Sequence, residues 1–199
     1  MRSNSHSTSN FVEKGIIEIL GEAQWKKICL KLNGKNNNRP QLSSEKKYPE
    51  LGKLIDEIGE VFGEAVGFGI AQRAGSASFK YFQTEFSQQL NFTSLEMLTK
   101  PLRSRLREGL ISIADCLNRE FGIRASFEEI KDEWRWRVIG CSECSRRESE
   151  EKICYFTVGL IQEFLSWSAG SKFFQVEEIA CSARGDPQCE FTIGITPVD

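Results

Sequence analysis

Apolar residues recur at helical spacing over the first 120 residues and alternate with polar residues in the last third. The first helical pattern covers residues 11–32, and Asn33 and Gly34 supply a stop. Residues 34–49 are rich in Asn, Ser, Lys and Pro, which is typical of an exposed loop. This segment is either a long loop or a linker that joins an amino-terminal helical extension to the main domain.

Two further long helices are predicted at residues 51–73 and 94–121, the second of which ends at Gly122. Pro101 lies within the first turns of the second helix, and the alternative is a start nearer Thr99. The first of these helices carries four small residues at three- and four-residue intervals: Gly63, Gly67, Ala71 and Ala74. A row of small side chains lets another backbone approach closely. We expect tight packing inside the domain, and a dimer seam is the alternative.

The last third changes to the two-residue period of β-strands. We predict four strands and one inserted helix, at residues 123–127, 132–139, 155–168 (the helix), 173–181 and 189–195. The last two strands flank a turn that contains Gly185, Asp186 and Pro187, which favours a hairpin. The predicted fold class is therefore α+β: amino-terminal helices followed by a mainly antiparallel sheet with an inserted helix.

The pattern predicts three parts of the chain: a disordered tail at 1–10, a helix-and-loop extension at 11–50 and the main domain at 51–199. The 199 residues are enough for one domain with a real core. A net charge of −2 gives no field that favours nucleic acid. No apolar run reaches the roughly 20 residues of a membrane span, and the polar start lacks a signal-peptide core, so we expect a cytoplasmic protein without a transmembrane segment.

Five of the seven cysteines lie in the last 60 residues, and the single histidine, His6, lies in the polar tail. In a reducing cytoplasm these cysteines are thiols or metal ligands and not a disulfide framework. The position of the histidine argues against Ser-His-Asp or Cys-His catalysis.

The spacing of three cysteines and one carboxylate suggests a metal site. Cys181 and Cys189 flank the predicted hairpin turn, Glu178 precedes Cys181 by three residues, and Cys154 stands at the predicted helix start. Three thiolates and one carboxylate can complete a closed, structural zinc site. The alternative is that these cysteines are simply small buried apolar residues.

A CxxC motif, Cys141-Ser-Glu-Cys144, precedes this group. Such a pair is common in zinc knuckles and in redox sites. It does not follow a strand and open a helix as thioredoxin-like redox motifs do. A second metal contact, redox chemistry and a merely local role all remain open.

The segment from Cys154 to Ile193, which contains FFQVEEIACSARGDPQCEFTI, resembles the end of the 4-vinyl reductase (4VR) domain, marked by E-x-x-C, a Gly-Asp-Pro-like turn and a second cysteine. The resemblance extends weakly back to Leu51 and implies the fold of the TRAPP tethering-complex subunits. Relatives include sensor domains of phenol-responsive activators, proteins of (bacterio)chlorophyll synthesis and cyanobacterial proteins of photosystem II assembly. In the phenol sensors the equivalent residues hold zinc, which implies the ligand set Cys154, Glu178, Cys181 and Cys189.

The resemblance implies a non-catalytic binding module for a hydrophobic or aromatic small molecule, plausibly a tetrapyrrole, in photosynthetic complex assembly or pigment handling. Five aromatic residues are candidates for the pocket walls: Trp134, Trp136, Phe156, Phe164 and Trp167. Arg135 and Arg137 are candidates to bind carboxylates of the ligand. Core packing and a solvated strand face are the plain alternatives.

Two other functions are kept as alternatives. The family name implies reduction of a vinyl group, although the sequence shows no nucleotide fingerprint and no iron–sulfur cysteine run. The fold and the small-residue helix also suit a homodimeric scaffold with photosystem assembly partners.

Overall fold

The computed structural model describes residues 10–33, 51–131 and 133–198. The predicted loop at 34–49 and nearly all of the predicted tail lie outside these residues. The described helices are α1 (Asn10–Leu20), α2 (Glu22–Asn33), α3 (Leu51–Phe62), α4 (Glu64–Glu85), α5 (Ser87–Leu90), α6 (Leu95–Thr99), α7 (Leu102–Phe121) and α8 (Tyr155–Ser168). The described strands are β1 (Arg124–Ile130), β2 (Glu133–Ile139), β3 (Val176–Ala180) and β4 (Cys189–Ile193).

Each of the three long helices predicted from the sequence is divided in the structure. Gly21 and Gly63 have φ angles of 76° and 91°, so the backbone leaves the right-handed helix between α1 and α2 and between α3 and α4. Pro101 separates α6 from α7, because proline cannot donate the backbone hydrogen bond that would continue α6. The predicted end at Arg73 was wrong: α4 continues to Glu85.

The small residues of α4 allow close packing within the chain. A Cβ atom on Gly75 would overlap the backbone carbonyl of Phe156 in α8, and one on Gly159 would overlap the carbonyl of Gln72. Ser76 Oγ adds a hydrogen bond of 3.1 Å to the Gly159 carbonyl. Helices α4 and α8 therefore touch backbone to backbone, at Gly75 and Gly159 and not at the four small residues that the sequence singled out.

The amino-terminal helix α1 also lies along α4. Phe11 is fully buried, and its ring packs against those of Phe82 and Phe86 with centroid distances of 5.1 and 6.4 Å. The Phe121 ring at the end of α7 lies 5.7 Å from the Phe11 ring. The first helix, α1, and the end of α7 therefore pack into one core with α4.

The four strands form one antiparallel sheet in the order β1-β2-β4-β3. Trp134, Trp136 and Val138 of β2 are buried on one face, while the residues between them are part-exposed on the other. Helix α7 ends at Gly122, which has a φ of 64° as expected for a helix C-cap. The predicted α+β class and the antiparallel sheet with an inserted helix are confirmed.

None of the helices in residues 10–33, 51–131 and 133–198 combines the length and the apolar character needed to cross a membrane.

The close contact between α4 and α8 predicts that Gly75→Ala lowers the free energy of unfolding by about 1–3 kcal/mol, because the added methyl group forces the two backbones apart. Gly69→Ala in the same helix is the matched control. A Cβ at Gly69 meets nothing within 4 Å, so this variant should be neutral or gain up to about 1 kcal/mol of helix propensity. Urea unfolding measures the free energy of unfolding of both variants. Equal values for the two would contradict this packing.

Candidate functional site

Five buried cysteines from four separate stretches of chain meet at one end of the sheet. Cys141 and Cys144 lie in the loop after β2, Cys154 is the N-cap residue of α8, Cys181 follows β3, and Cys189 opens β4. The structure therefore brings together the three cysteines predicted as zinc ligands and adds the CxxC pair to them.

Four of these sulfur atoms lie at the spacing of ligands around one ion. Cys144 Sγ lies 3.2 Å from Cys154 Sγ and 3.4 Å from both Cys181 Sγ and Cys189 Sγ. Cys154 Sγ and Cys189 Sγ are 3.6 Å apart. Zn–S bonds of about 2.3 Å in a tetrahedron place sulfurs about 3.8 Å apart, so one metal ion fits and a multi-iron cluster does not.

Glu178 lies within 4.8 Å of these four sulfurs through one carboxylate oxygen. Its Oε2 accepts a 2.9 Å hydrogen bond from the backbone N–H of Cys154. Its Oε1 is buried and has no hydrogen-bond partner within the described residues. Burial raises the pKa of the Glu178 carboxyl to about 8.

The hairpin turn between β3 and β4 positions Cys181 and Cys189. Asp186 Oδ2 accepts a 2.8 Å hydrogen bond from the Cys181 N–H, and the Ser182 N–H points at Cys189 Sγ at 3.3 Å. Gly185 takes a φ of 94°, which suits glycine in a tight turn. The predicted Gly-Asp-Pro turn thus holds both thiols on the same side.

The thiols of the cluster perturb one another. Hydrogen bonds from Cys144, and then from Cys154, lower the pKa of Cys181 to about 6. The contact with Cys141, followed by those with Cys144 and Cys154, lowers the pKa of Cys189. Contact with the Cys141 thiol raises the pKa of both Cys144 and Cys154. These opposed shifts in pKa arise because the thiols lie within hydrogen-bonding distance of one another.

Glu143, inside the CxxC motif, is a functional residue that the sequence reasoning missed. Its side chain is buried, and its two oxygens accept 2.9 Å hydrogen bonds from the backbone N–H groups of Phe156 and Thr157. Burial raises the pKa of Glu143 to about 7, against the lowering effect of the hydrogen bond from Thr157. The Cys154 side chain makes no capping hydrogen bond, although Cys154 is the N-cap residue of α8. Glu143 supplies the cap in its place by accepting from two backbone N–H groups of the first turn.

The same loop is fastened to α3. The Gly52 N–H donates a 3.1 Å hydrogen bond to the Ser142 carbonyl. Arg147 donates to the Glu143 carbonyl at 3.1 Å and forms a 2.7 Å ion pair with Asp56. The CxxC loop therefore joins α3 to the start of α8.

A small apolar cavity of about 40 Å³ lies next to the cluster, between α7, α8 and β2. Trp136, Phe156 and Cys141 contribute to its lining, together with aliphatic residues such as Ile113 and Leu160. Trp136 Nε1 is buried and has no hydrogen-bond partner among the described residues. The cavity thus combines apolar walls with a residue whose N–H donor is unused.

The other predicted pocket residues lie elsewhere. Trp134 packs against Phe127 at 5.6 Å, and both Phe164 and Trp167 join a ring cluster with Phe79 and Phe92.

Arg135 and Arg137 lie on the opposite face of the sheet from Trp134 and Trp136. Both arginines form ion pairs with Glu190, the first at 2.7 Å and the second at 3.3 Å. Arg135 also pairs with Glu133, and Arg137 with Glu128. A pocket lined by the tryptophans therefore cannot also be lined by these arginines.

Two sequence comparisons match the carboxy-terminal part of the chain. Residues 134–195 match the family model of the V-4-R domain, which is the 4-vinyl reductase (4VR) domain. Uncharacterized protein MJ0745 of Methanocaldococcus jannaschii is 41% identical over 59 residues, which are 30% of this chain and 32% of that protein. The matched segment thus spans about a third of the length of this relative.

Solved structures share the fold over more of the chain at low sequence identity. An H-NOX protein from S. oneidensis in the Fe(II)NO ligation state has a TM-score of 0.65 at 12% identity, over 96% of this chain and 98% of that one. A structure solved to probe the function of heme distortion in the H-NOX family has a TM-score of 0.61 at 15% identity, over 97% and 96%. The phenol-responsive sensory domain of the transcription activator PoxR, solved with phenol, has a TM-score of 0.54 at 15% identity, over 73% of each chain.

The predicted resemblance to the 4-vinyl reductase family is thereby confirmed over residues 134–195, the stretch that contains all five cysteines of the cluster.

Proposed function

We propose that this chain is a non-catalytic binding module for a small hydrophobic or aromatic molecule, with a structural zinc site beside the pocket. The observation that carries the proposal is the apolar cavity whose lining includes Trp136, with its unpaired Nε1–H. A buried donor without a partner costs about 1–3 kcal/mol, and a ligand with one acceptor oxygen removes that cost. The preferred ligand is therefore an aromatic molecule with a hydroxyl or carbonyl oxygen.

The size of the cavity limits the ligand. A cavity of about 150 Å³ in another protein binds benzene, so a site of about 40 Å³ must open somewhat even for one ring. Movement of α7 against α8 is the natural way to enlarge it, because both helices line it.

A tetrapyrrole is the finer prediction from the sequence, and the geometry does not favour it in this cavity. A porphyrin needs many times the volume available. Arg135 and Arg137 point away on the other face of the sheet, where carboxylates of the chain already neutralise them. Haem, which the H-NOX neighbours are described as containing, does not fit this cavity either, and the chain's one histidine, His6, lies outside the described residues.

The cysteine cluster fits a zinc ion. Cys154, Cys181 and Cys189, which the sequence predicts as ligands, would supply three thiolates from α8 and the hairpin, and both Cys144 and Glu178 lie close enough to supply the fourth ligand. The ion would supply only charge and four fixed bonds, since a site closed by four protein ligands leaves no position for a substrate. The protein's own residues shape the neighbouring cavity wall.

Vinyl reduction, a homodimeric scaffold, and photosystem assembly partners stay as predictions from the resemblance. Leu95 and Leu98, one turn apart on α6, expose 79% and 50% of their surface, which is the observation that favours a protein-binding role as the second candidate.

If zinc is structural, metal analysis of the protein purified under reducing conditions should give about one zinc per chain. Cys189→Ser should lower zinc content and reduce the free energy of unfolding by about 3 kcal/mol or more. Cys29→Ser is the control, because Cys29 is equally buried in α2 but outside the cluster, so it should keep its zinc. Native protein that contains no zinc would contradict the metal assignment.

For the ligand, isothermal titration with a panel of phenols, aryl ketones and alkylbenzenes should show saturable binding of the oxygen-bearing compounds. Trp136→Phe removes the N–H donor and should weaken their binding about 3- to 10-fold. Trp134→Phe changes a buried tryptophan two residues away that does not line the cavity, and should bind normally. Absence of saturable binding by every compound would favour the scaffold.

A further inference from the structure

The cysteine cluster contains more donors than a tetrahedral ion can use. The sulfurs of Cys144, Cys154, Cys181 and Cys189 and one oxygen of Glu178 all lie within 4.8 Å of one another. We propose that Cys144, from the CxxC loop, is the fourth metal ligand, and that Glu178 is a positioning residue that holds Cys154. This inference rests on the metal site of the proposed function and changes its predicted ligand set.

The sulfur distances carry the assignment. Cys144 Sγ makes contacts of 3.2, 3.4 and 3.4 Å with the three sulfurs already assigned, so it touches all three of them. Cys141 Sγ lies 3.6 Å from Cys154 Sγ but falls outside the group whose donors all lie within 4.8 Å of one another. Of the two CxxC thiols, Cys144 is therefore the ligand, and Cys141 lines the cavity.

The backbone around Cys144 is held in place by contacts that do not involve sulfur. Glu143 is tied to the first turn of α8, and Arg147 is tied to Asp56 of α3. These anchors on both sides of Cys144 hold the backbone that directs its thiol into the cluster. A preorganised ligand loses less conformational entropy on binding metal than one carried by a free loop.

Glu178 has a different task. Its Oε2 accepts the Cys154 N–H, which fixes the residue that both supplies a ligand and starts α8. Only Oε1 remains to compete for the ion. An ion bound by four thiolates needs no carboxylate, and an all-cysteine set is a standard structural zinc site.

The assignment has a structural consequence for the pocket. Cys141 and Ser142, from the same loop as Cys144, lie in the cavity wall, as do Phe156 and Thr157 of α8. A metal bond to Cys144 would therefore clamp together the two segments that close one side of the cavity.

Cobalt(II) substitution tests the ligand set directly. Metal-free protein, prepared with a chelator under reducing conditions, is titrated with Co²⁺ and its absorption spectrum recorded. The sulfur-to-cobalt charge-transfer intensity grows with the number of thiolates, so Cys144→Ser should lower it by about one quarter and weaken zinc binding at least about 10-fold. Cys141→Ser, the matched control in the same loop, should keep the wild-type spectrum, as should Glu178→Gln.

A wild-type spectrum for Cys144→Ser together with an altered one for Glu178→Gln or Cys141→Ser would overturn the assignment. X-ray absorption at the zinc edge of the wild-type protein gives the same answer if a variant fails to fold: four sulfurs support the proposal, and three sulfurs with one oxygen reject it. A wild-type protein that binds neither cobalt nor zinc would instead refute the metal site of the proposed function.

Discussion

The carboxy-terminal half of this protein depends on the meeting of four sulfur atoms that arrive from four separate stretches of chain. Contacts of 3.2–3.6 Å between buried sulfurs are unfavourable if several are thiolates, and become favourable around a shared cation. Each bond to such a cation ties one segment to the others. The CxxC loop, the start of α8 and the β3–β4 hairpin are held at this point, and the pocket wall is built from two of these three segments.

The packing of the helices positions the segments that carry the cysteine cluster. Gly75 and Gly159 let α4 and α8 approach until their backbones touch. This contact fixes the position of α8 along α4, and with it the position of Cys154 at the start of α8. Glu143 then bonds to the first N–H groups of α8 and carries the CxxC loop to the same place. Packing by glycine and capping by a carboxylate thus place Cys154 in the thiol cluster.

Much of the site could be read from the sequence because its signals are local. Cys181 and Cys189 flank a turn of Gly, Asp and Pro, so their proximity follows from hairpin geometry alone. The contact of Cys144 with that hairpin joins residues 37 and 45 positions apart, and no local pattern encodes it. Glu143 was missed for the same reason, since its partners lie across the loop on α8.

The alternation in β2 predicted two faces but not which neighbours each face would meet. Trp136 meets the cavity, whereas Trp134, on the same face, meets Phe127. Arg135 and Arg137, on the other face, pair with glutamates of adjacent strands, and this pairing depends on strand order and register. The periodic pattern also did not predict the helix breaks at Gly21 and Gly63, because apolar spacing continues across a single residue of positive φ.

The proposed metal ion at the thiol cluster would hold the CxxC loop, α8 and the hairpin together. Hydrogen–deuterium exchange of the zinc-loaded and chelated protein, followed by mass spectrometry, tests it most directly. Chelation should remove protection together from residues 141–147, 153–159 and 181–189, while α1 and the middle of α4 remain protected. Unchanged protection in those three segments after complete removal of the metal would contradict the account.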